Sequence, residues 1–501
     1  MINNKIIAII IFILSAILVG QPGRDARMLG LNGSYTTLAH GYQSIGVNPA
    51  NLASYNYRSL NLLNLSLGIS NNALSITKYN AINGAHLEDT LSFTYYPKSQ
   101  FYDMFGGKGI RLMQSLELPL PILNFSTRRF ALTSNFSSNL DMGLPNGLLD
   151  LLLFGNPFGS SISINMEQNS IINQDIGLSY GHLFNQFSVG FTLKYILGLF
   201  YMGMESIDTP FITTDIIGFT GQNQYLIKQA IGGAGTGLDL GFTTHELKDG
   251  YRFGISVINF LGKVEWTQDH FMRSSLESTL KNSAGDFYLR PNEFMYVNMT
   301  IDNMSAENLD VIYYEMYKVM PLEAIDTLDI SSQDSTLLIP LSDGTYLYPS
   351  GGEYKLNDLI GDGDATDTTK KNYEELYIED NNSFQTRQPM LLRIGVSRRW
   401  EDQAVVAGDL VTGFSNRFGS SSAWRASLGV EIIRFKGQFL RLGYAIGGIT
   451  KKSMSLGYGR KLGLLYWDIG MSFNGGFTFE STKGVDFAMG LVWKMGKLKK
   501  I

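Results

Sequence analysis

A chain of 501 residues with a net charge of −5 and 17% charged side chains is neither a basic nucleic-acid binder nor a disordered acidic tail. The absence of cysteine excludes disulfides and thiolate metal sites, and it suits an oxidising compartment. With 54 glycines and 12% aromatic residues, the composition favours short turns and crowded β-structure over helices.

Lys5 precedes an apolar run from Ile6 to Val19, then Gly20 as a small exit residue and Gln21 as a mature start. This reads as a secretory leader over 1–20, because a membrane helix needs about 20 apolar residues and the run is shorter. Without cysteine the mature N-terminus carries no lipid. No later stretch reaches the length of a membrane helix, which leaves a soluble protein or a barrel. The period of the apolar residues decides between them.

Residues 21–58 read as a compact plug or a lead-in to the first strand. Gly30 and Gly33 are not a nucleotide loop, since no strand precedes them and no P-loop lysine follows. Asn48-Pro49 forces a turn, because the residue before proline avoids the helical region and proline lacks an amide donor.

Strands are expected near 59–79, 115–124, 128–138, 172–183, 187–204, 233–245 and 250–260, forming the first half of a barrel over 59–266. The first is long enough to hide a bulge at Asn71-Asn72, and Pro119 and Pro121 sit badly in the second. Leu148 to Phe154 is a leucine-rich stretch that the topology puts in an outer loop. Leu148, Leu149, Leu152 and Phe154 either contact an apolar ligand or bury themselves as a helix on the rim. Met204 to Gly232 is expected as another long outer loop.

Between Trp266 and Gln388 the alternation stops. Residues 267–388 hold 22 acidic and 8 basic residues, a net of −14, so the remainder carries about +9. This stretch is expected as an extracellular insert of mixed structure. Ser305 is placed to cap a helix whose Leu309, Ile312, Tyr313 and Met316 share a face. Leu337 to Tyr348 reads as a hairpin around Asp343-Gly344. Asp358, Asp362, Asp364 and Asp367 offer oxygen ligands but lack the spacing of a calcium loop, and a solvated loop is the preferred reading.

Residues 389–501 carry the clearest pattern. Val485, Phe487, Met489, Leu491 and Trp493 alternate with Asp486, Ala488, Gly490, Val492 and Lys494. Similar faces recur around Leu428, around Leu442 and around Ile469. Segments of about ten residues suit a tilted strand crossing a bilayer. Trp400, Trp424, Tyr444 and Trp493 near strand ends suit an interfacial girdle. Short turns such as Asn185-Gln186 and Arg434 to Gly437 alternate with longer loops. The total is fourteen strands, with both termini on the side of the short turns. Asp239, Lys194, Arg393, Arg425, Glu431, Arg441, Asp468 and Asp486 fall on the lumen face, where paired structural charges and a charge-lined water path are both open readings.

The fold class is therefore all-β: an antiparallel transmembrane β-barrel of about 14 strands with an N-terminal plug and a large extracellular insert. The five histidines have no zinc spacing, and His182 with Ser188 lacks a third orienting group. The reading is of no enzyme, no metal and no cofactor.

The glycines at 30 and 33, Tyr35-Thr36-Thr37-Leu38-Ala39 and Asn48-Pro49-Ala50 resemble the N-terminal hatch of the FadL-type transporters and the PorV-like proteins of type IX secretion. The chain looks closest to an uncharacterised outer-membrane branch of that superfamily, whose segments recur at 144–156 and 256–266. Asn51 departs from the usual hatch glycine, and the ending Lys499-Lys500-Ile501 departs from an aromatic terminus. The resemblance implies a bacterial outer-membrane barrel with a hatch built on Gly30, Gly33, Tyr35, Asn48, Pro49 and Ala50. Its FadL-like side implies passive uptake of hydrophobic small molecules, with a plug shift opening a route through the wall. Its PorV-like side implies a non-enzymatic carrier or scaffold for secreted proteins. Outer-membrane lipid is a partner in both.

Overall fold

Strands that alternate apolar with polar residues can cross lipid only by closing on themselves, because an open edge would leave peptide groups unbonded. The computed structural model does this with fourteen antiparallel strands. It describes residues 25–496 apart from 55–56, 106–108, 217, 268–288, 290–292, 305–311, 322–338, 341–345, 358–383, 477 and 479. The first half of the wall holds β1 (Arg58–Asn71), β2 (Ile110–Pro119), β3 (Phe130–Leu144), β4 (Glu167–Leu183), β5 (Phe187–Thr214), β6 (Phe219–Thr244) and β7 (Tyr251–Trp266). The second holds β8 (Leu391–Trp400), β9 (Ala404–Gly413), β10 (Arg425–Ile432), β11 (Gln438–Gly447), β12 (Lys451–Leu462), β13 (Leu465–Asn474) and β14 (Gly484–Met495). Each strand pairs with the next, and β14 closes onto β1 from Arg58↔Met495 to Ser70↔Gly484. Across the insert, β7 pairs directly with β8.

The two faces separate as the alternation requires. On β14, Asp486, Ala488, Val492 and Lys494 are buried inward. Outside, Leu428 (54% exposed), Leu442 (48%), Leu178 and Leu410 belong to an apolar belt that only lipid can cover. Exposed Trp400, Trp424 and Trp493 stand at strand ends, at the level of an interface. Short connections lie at the end of the barrel that holds Arg58 and Met495. The opposite end carries short helices on the rim and the longer loops.

Several expected boundaries move. β1 ends at Asn71, and its register shift lies between Asn61 and Leu63 instead of at Asn71-Asn72. β2 ends at Pro119, five residues before the expected limit, since a proline nitrogen cannot continue the ladder. The expected loop Met204 to Gly232 is overturned: β5 and β6 run on as a hairpin that turns at Asp215–Gly218. In this extension polar side chains face water while Ile207, Ile212 and Leu226 are buried against neighbouring strands, so polar residues no longer signal a loop.

That hairpin carries further strands. Phe294–Met304 pairs with β6 and with Ile312–Pro321, which pairs in turn with Tyr346–Asn357. The expected helix from Ser305 through Met316 is therefore corrected. The run Ile312-Tyr313-Tyr314 is β-branched and aromatic, which suits a pleated ladder better than a helix. Ser305 and Leu309 themselves lie outside the described residues. Ile339↔Leu347 and Pro340↔Tyr346 pair around the expected Asp343-Gly344 hairpin. Its turn, the leader, the acidic cluster at 358–367 and the ending 499–501 also lie outside the described residues.

If lipid covers the belt, Leu428→Arg costs about 2–4 kcal/mol when placed near the bilayer midplane. Gln222→Arg, on the hairpin beyond it, changes stability by less than about 0.5 kcal/mol. Urea unfolding of protein refolded into lipid vesicles measures both.

Candidate functional site

Fourteen strands enclose a lumen wider than their own side chains fill. Residues 25–54 occupy it. Asp25 opens the segment by capping α1 (Ala26–Gly30), accepting from the main-chain nitrogens of Arg27 (2.9 Å) and Met28 (3.0 Å). Asn32 and Gly33, both at positive φ, reverse the chain. Two 3-10 turns follow at Gly41–Ser44 and Pro49–Ser54. So little regular structure leaves many peptide groups to be bonded by the wall.

The wall meets them in two ways. Inward glycines let the backbone approach closely. A Cβ at Gly457 would lie 2.9 Å from the Gly30 Cα, and one at Gly190 would lie 2.5 Å from the Pro49 carbonyl carbon. Inward charges bond the main chain. Asp409 accepts from the nitrogens of Tyr35 and Thr36 (both 2.9 Å) and from the Thr36 hydroxyl (2.6 Å). Arg393 donates to the Gly33 carbonyl (2.8 Å) and pairs with Asp409 (3.1 Å). Arg252 donates to the Thr37 carbonyl (3.0 Å), Asn51 Oδ1 (3.1 Å) and Ser54 Oγ (2.8 Å). Asn48 donates to the Phe242 carbonyl (3.0 Å) and accepts from Ala50 N (3.1 Å).

A chain of ion pairs fixes α1. Arg27 binds Glu431 (2.6 Å), Arg441 binds Glu431 (2.8 Å), and Arg441 also binds Asp468 (2.6 Å). The Arg27 guanidinium also lies over the buried Tyr35 ring at 5.6 Å. Elsewhere on the wall Lys194 pairs with Asp239 (2.7 Å). Outside the strands, burial pushes the Asp25 carboxyl up to about 6, partly offset by its bond from Met28. Burial, reinforced by the Lys494 charge, drives the His40 imidazole well below its usual range.

Above the segment, toward the long loops, lies a chamber of about 220 Å³. Its floor includes Met28, Asn32 and Gly33, and the loop between β9 and β10 contributes Phe418, Gly419 and Ser420. That loop reaches across: Phe418 meets Tyr201 of β5 edge-on at 6.1 Å, and Gly419 sits against Asn139 of β3. A smaller cavity of about 20 Å³ lies between the segment and the wall, beside Asp25, Gln43, Asn64 and Asn124. Glu117 and Asn135 line both spaces.

The wall is irregular at the smaller cavity. The β1–β2 ladder runs only from Ser66↔Glu117 to Asn71↔Leu112. Past Pro119 the chain leaves the sheet, with Ile122 69% exposed, and rejoins β1 through Phe125–Ser126. Amide side chains stitch the interruption. Asn61 donates to the Pro119 carbonyl (2.9 Å), and Asn124 donates to the Leu120 and Ser134 carbonyls (both 2.9 Å).

On the rim, α2 (Ile76–Ile82), α3 (Lys98–Asp103) and α4 (Asn146–Phe154) pack together. Leu149 is buried with Ile82, Met104 and Phe105, while Leu148 packs against Ile164, Ile212 and Ile301. Leu152 is half-buried. Phe154 is half-exposed and meets Tyr102 edge-on at 5.4 Å.

Residues 49–311 match the model of a family of unknown function, DUF5723. The chain belongs to that family. No curated protein matches it. Among solved structures it is similar to the toluene transporter TbuX of Ralstonia pickettii, at 12% identity over 95% of this chain and 98% of that one, with a TM-score of 0.43. The toluene transporter TodX of P. putida follows at 12%, over 96% and 99%, with 0.40. A FadL homologue of Pseudomonas aeruginosa stands at 10%, over 95% and 99%, with 0.43.

In this DUF5723 barrel, Gly30, Gly33, Tyr35, Asn48, Pro49 and Ala50 all lie on the lumenal segment, whereas Leu148, Leu149, Leu152 and Phe154 lie apart from it on the rim. Sequence reasoning passed over Arg27, Asp409 and Arg252. Two of them left a signal: Asp409 is the lone charge in Ala404–Gly413, and Arg252 is the first of only two cations in Tyr251–Trp266.

Glu431→Gln breaks both buried pairs and is expected to cost about 3–5 kcal/mol, with hydrogen exchange of residues 26–40 rising before that of the strands. Asp25→Asn keeps an accepting cap. The folded Asp25 carboxyl titrates above its unfolded value, so acid favours the seated segment. That gain is complete below the unfolded pKa near 4 and is lost as pH rises through about 6. Proteolysis of residues 25–54 between pH 4 and 7 should vary in the native protein and flatten in the variant.

Proposed function

We propose that this protein is a passive bacterial outer-membrane transporter whose N-terminal segment closes the lumen and opens it by shifting. One observation carries the reading: the chamber and the small cavity at the wall interruption share Glu117 and Asn135, with the segment standing beside both. Hydrophobic small molecules are the substrate class implied by the FadL-like resemblance. Exposed Phe154 and Phe158 on the rim supply an apolar landing surface, and the interruption past Pro119 supplies a way out through the wall. A second reading, a carrier or scaffold for secreted proteins, draws support from the sheet that β5 and β6 extend beyond the bilayer.

The chain has no cysteine, so an introduced pair acts alone. The Ser34 and Ser427 hydroxyl oxygens lie 2.9 Å apart, which makes Ser34→Cys/Ser427→Cys a tether between segment and wall. Uptake of radiolabelled toluene by cells producing the oxidised variant should fall to the level of cells without the protein, and reductant should restore it. Equal uptake in both states would overturn the gate. A secreted polypeptide that co-purifies while uptake is nil favours the carrier.

A further inference from the structure

On the lipid side of the barrel a groove of about 430 Å³ crosses β11, β12 and β13. Its direction follows the strand pairing. Leu440, Tyr458 and Ile469 are register partners along one bank, and Leu442, Leu456 and Met471 are register partners along the other. Between the banks lies the row Arg441, Gly457 and Gly470. The Arg441 side chain is buried in the lumen and the two glycines have none, so the floor is bare main chain. Such a trough admits a hydrocarbon chain between its banks.

A second observation lies one rung, about 7 Å, nearer the short turns. There Gln438, Arg460 and Trp467 are register partners. Tyr458 leans toward this rung: its ring meets Trp467 edge-on at 6.1 Å, and its hydroxyl donates to Gln438 Oε1 (3.3 Å). Tyr and Trp together suit the depth of the lipid headgroups. Arg460 is exposed at that depth, and Arg434 and Lys436 are exposed on the adjacent turn. Residues 432–467 include no Asp or Glu, so no carboxylate of these hairpins neutralises them. Glu401 and Asp402 stand on the neighbouring turn, where Asp402 is held by Arg399 (3.2 Å). Among the described residues no carboxylate lies within ion-pair distance of Arg434, Lys436 or Arg460.

We propose that this face holds one anionic phospholipid of the leaflet on the short-turn side, with an acyl chain in the groove and its phosphate at Arg460, flanked by Arg434 and Lys436. The apolar trough and the acid-free basic rung are the two halves of an amphiphile's outline, set one rung apart. Charge selects the headgroup, because a zwitterionic lipid brings its own cation against the same arginine and gains less from it. The site needs only the transmembrane barrel and is independent of the transport reading.

Native mass spectrometry of the full chain in detergent tests it, with dioleoyl phosphatidylglycerol or dioleoyl phosphatidylcholine added. One phosphatidylglycerol should bind about fivefold more tightly than phosphatidylcholine, the share of one surface cation. Arg460→Gln should erase that preference. Leu456→Trp, which fills the groove, should weaken both lipids. Lys263→Gln removes an exposed cation of β7, away from the groove, and should change neither. Arg460 and Leu456 are both exposed, so their variants keep the folded barrel. Equal binding of the two lipids overturns the proposal. So does a preference that survives Arg460→Gln or falls as far in Lys263→Gln, and so does lipid binding that Leu456→Trp leaves unchanged. A dimer that Leu456→Trp dissociates would make a second copy the occupant and overturn it as well.

Discussion

The structure depends on a mutual dependence between the lumen wall and the segment that fills it. Glu431, Asp468, Asp409, Arg252, Arg393 and Arg441 all face inward and are buried. A charge removed from water without partners costs several kcal/mol, and the wall alone does not supply enough partners. Residues 25–54 complete the set with the Arg27 guanidinium, the amides of Tyr35 and Thr36, and the carbonyls of Gly33 and Thr37. The segment in turn lacks the helix or ladder that would bond its own peptide groups. Each side is the solvent of the other. The close approach needed for this exchange falls where Gly190 and Gly457 replace side chains on the wall.

The kind of contact decides what can move. Apolar packing, such as that of Leu149 with Ile82, Met104 and Phe105 on the rim, loses its full transfer free energy when opened to water. Many lumen contacts are polar and border a chamber lined by amides and hydroxyls, although Leu38 and Val47 also pack with Val405 and Ala407, and Ile45 and Leu52 with Ala131. Water entering that chamber replaces each lost hydrogen bond with another, so the net cost per bond is near 1 kcal/mol. The ion pairs at Glu431 are the costlier exception, and they hold α1 at the base of the segment. The segment is therefore held by both kinds of contact along its length, with the ion pairs concentrated at α1.

Which parts were legible in the sequence follows from the same physics. Lipid and lumen are chemically unlike, so each strand at bilayer depth writes a period of two, and Phe487, Leu442 and Leu428 could be assigned to the outside. Where β5 and β6 extend past the rest of the wall, their outer face meets water instead of lipid and the period fades, which is why Met204 to Gly232 read as a loop. Ile312 to Met316 satisfies helical spacing as well as strand alternation; its β-branched and aromatic residues lean toward the strand, and the pairing with Phe294–Met304 decides it. The inward glycines were legible as small but not as footprints. Their partners lie up to about 430 residues away, as Gly30 does from Gly457, and no local pattern links the two.

The wall and the segment also meet at the barrel's least regular point. Pro119 ends β2 because it cannot donate, and the side chains of Asn61 and Asn124 take over bonds that a ladder would otherwise make. The segment touches this repair directly: Tyr42 donates from its hydroxyl to Asn61 Oδ1 (3.2 Å) and from its main-chain nitrogen to Ser59 Oγ (3.1 Å). A ladder bond is held by its neighbours on both sides, whereas a single amide is held by its rotamer. Withdrawing Tyr42 removes the partner that orients the Asn61 amide, and so weakens the bond from Asn61 to the Pro119 carbonyl. In the proposed gate, displacement of the segment would loosen the wall at this one pair of side chains, with no need for a signal carried across the barrel.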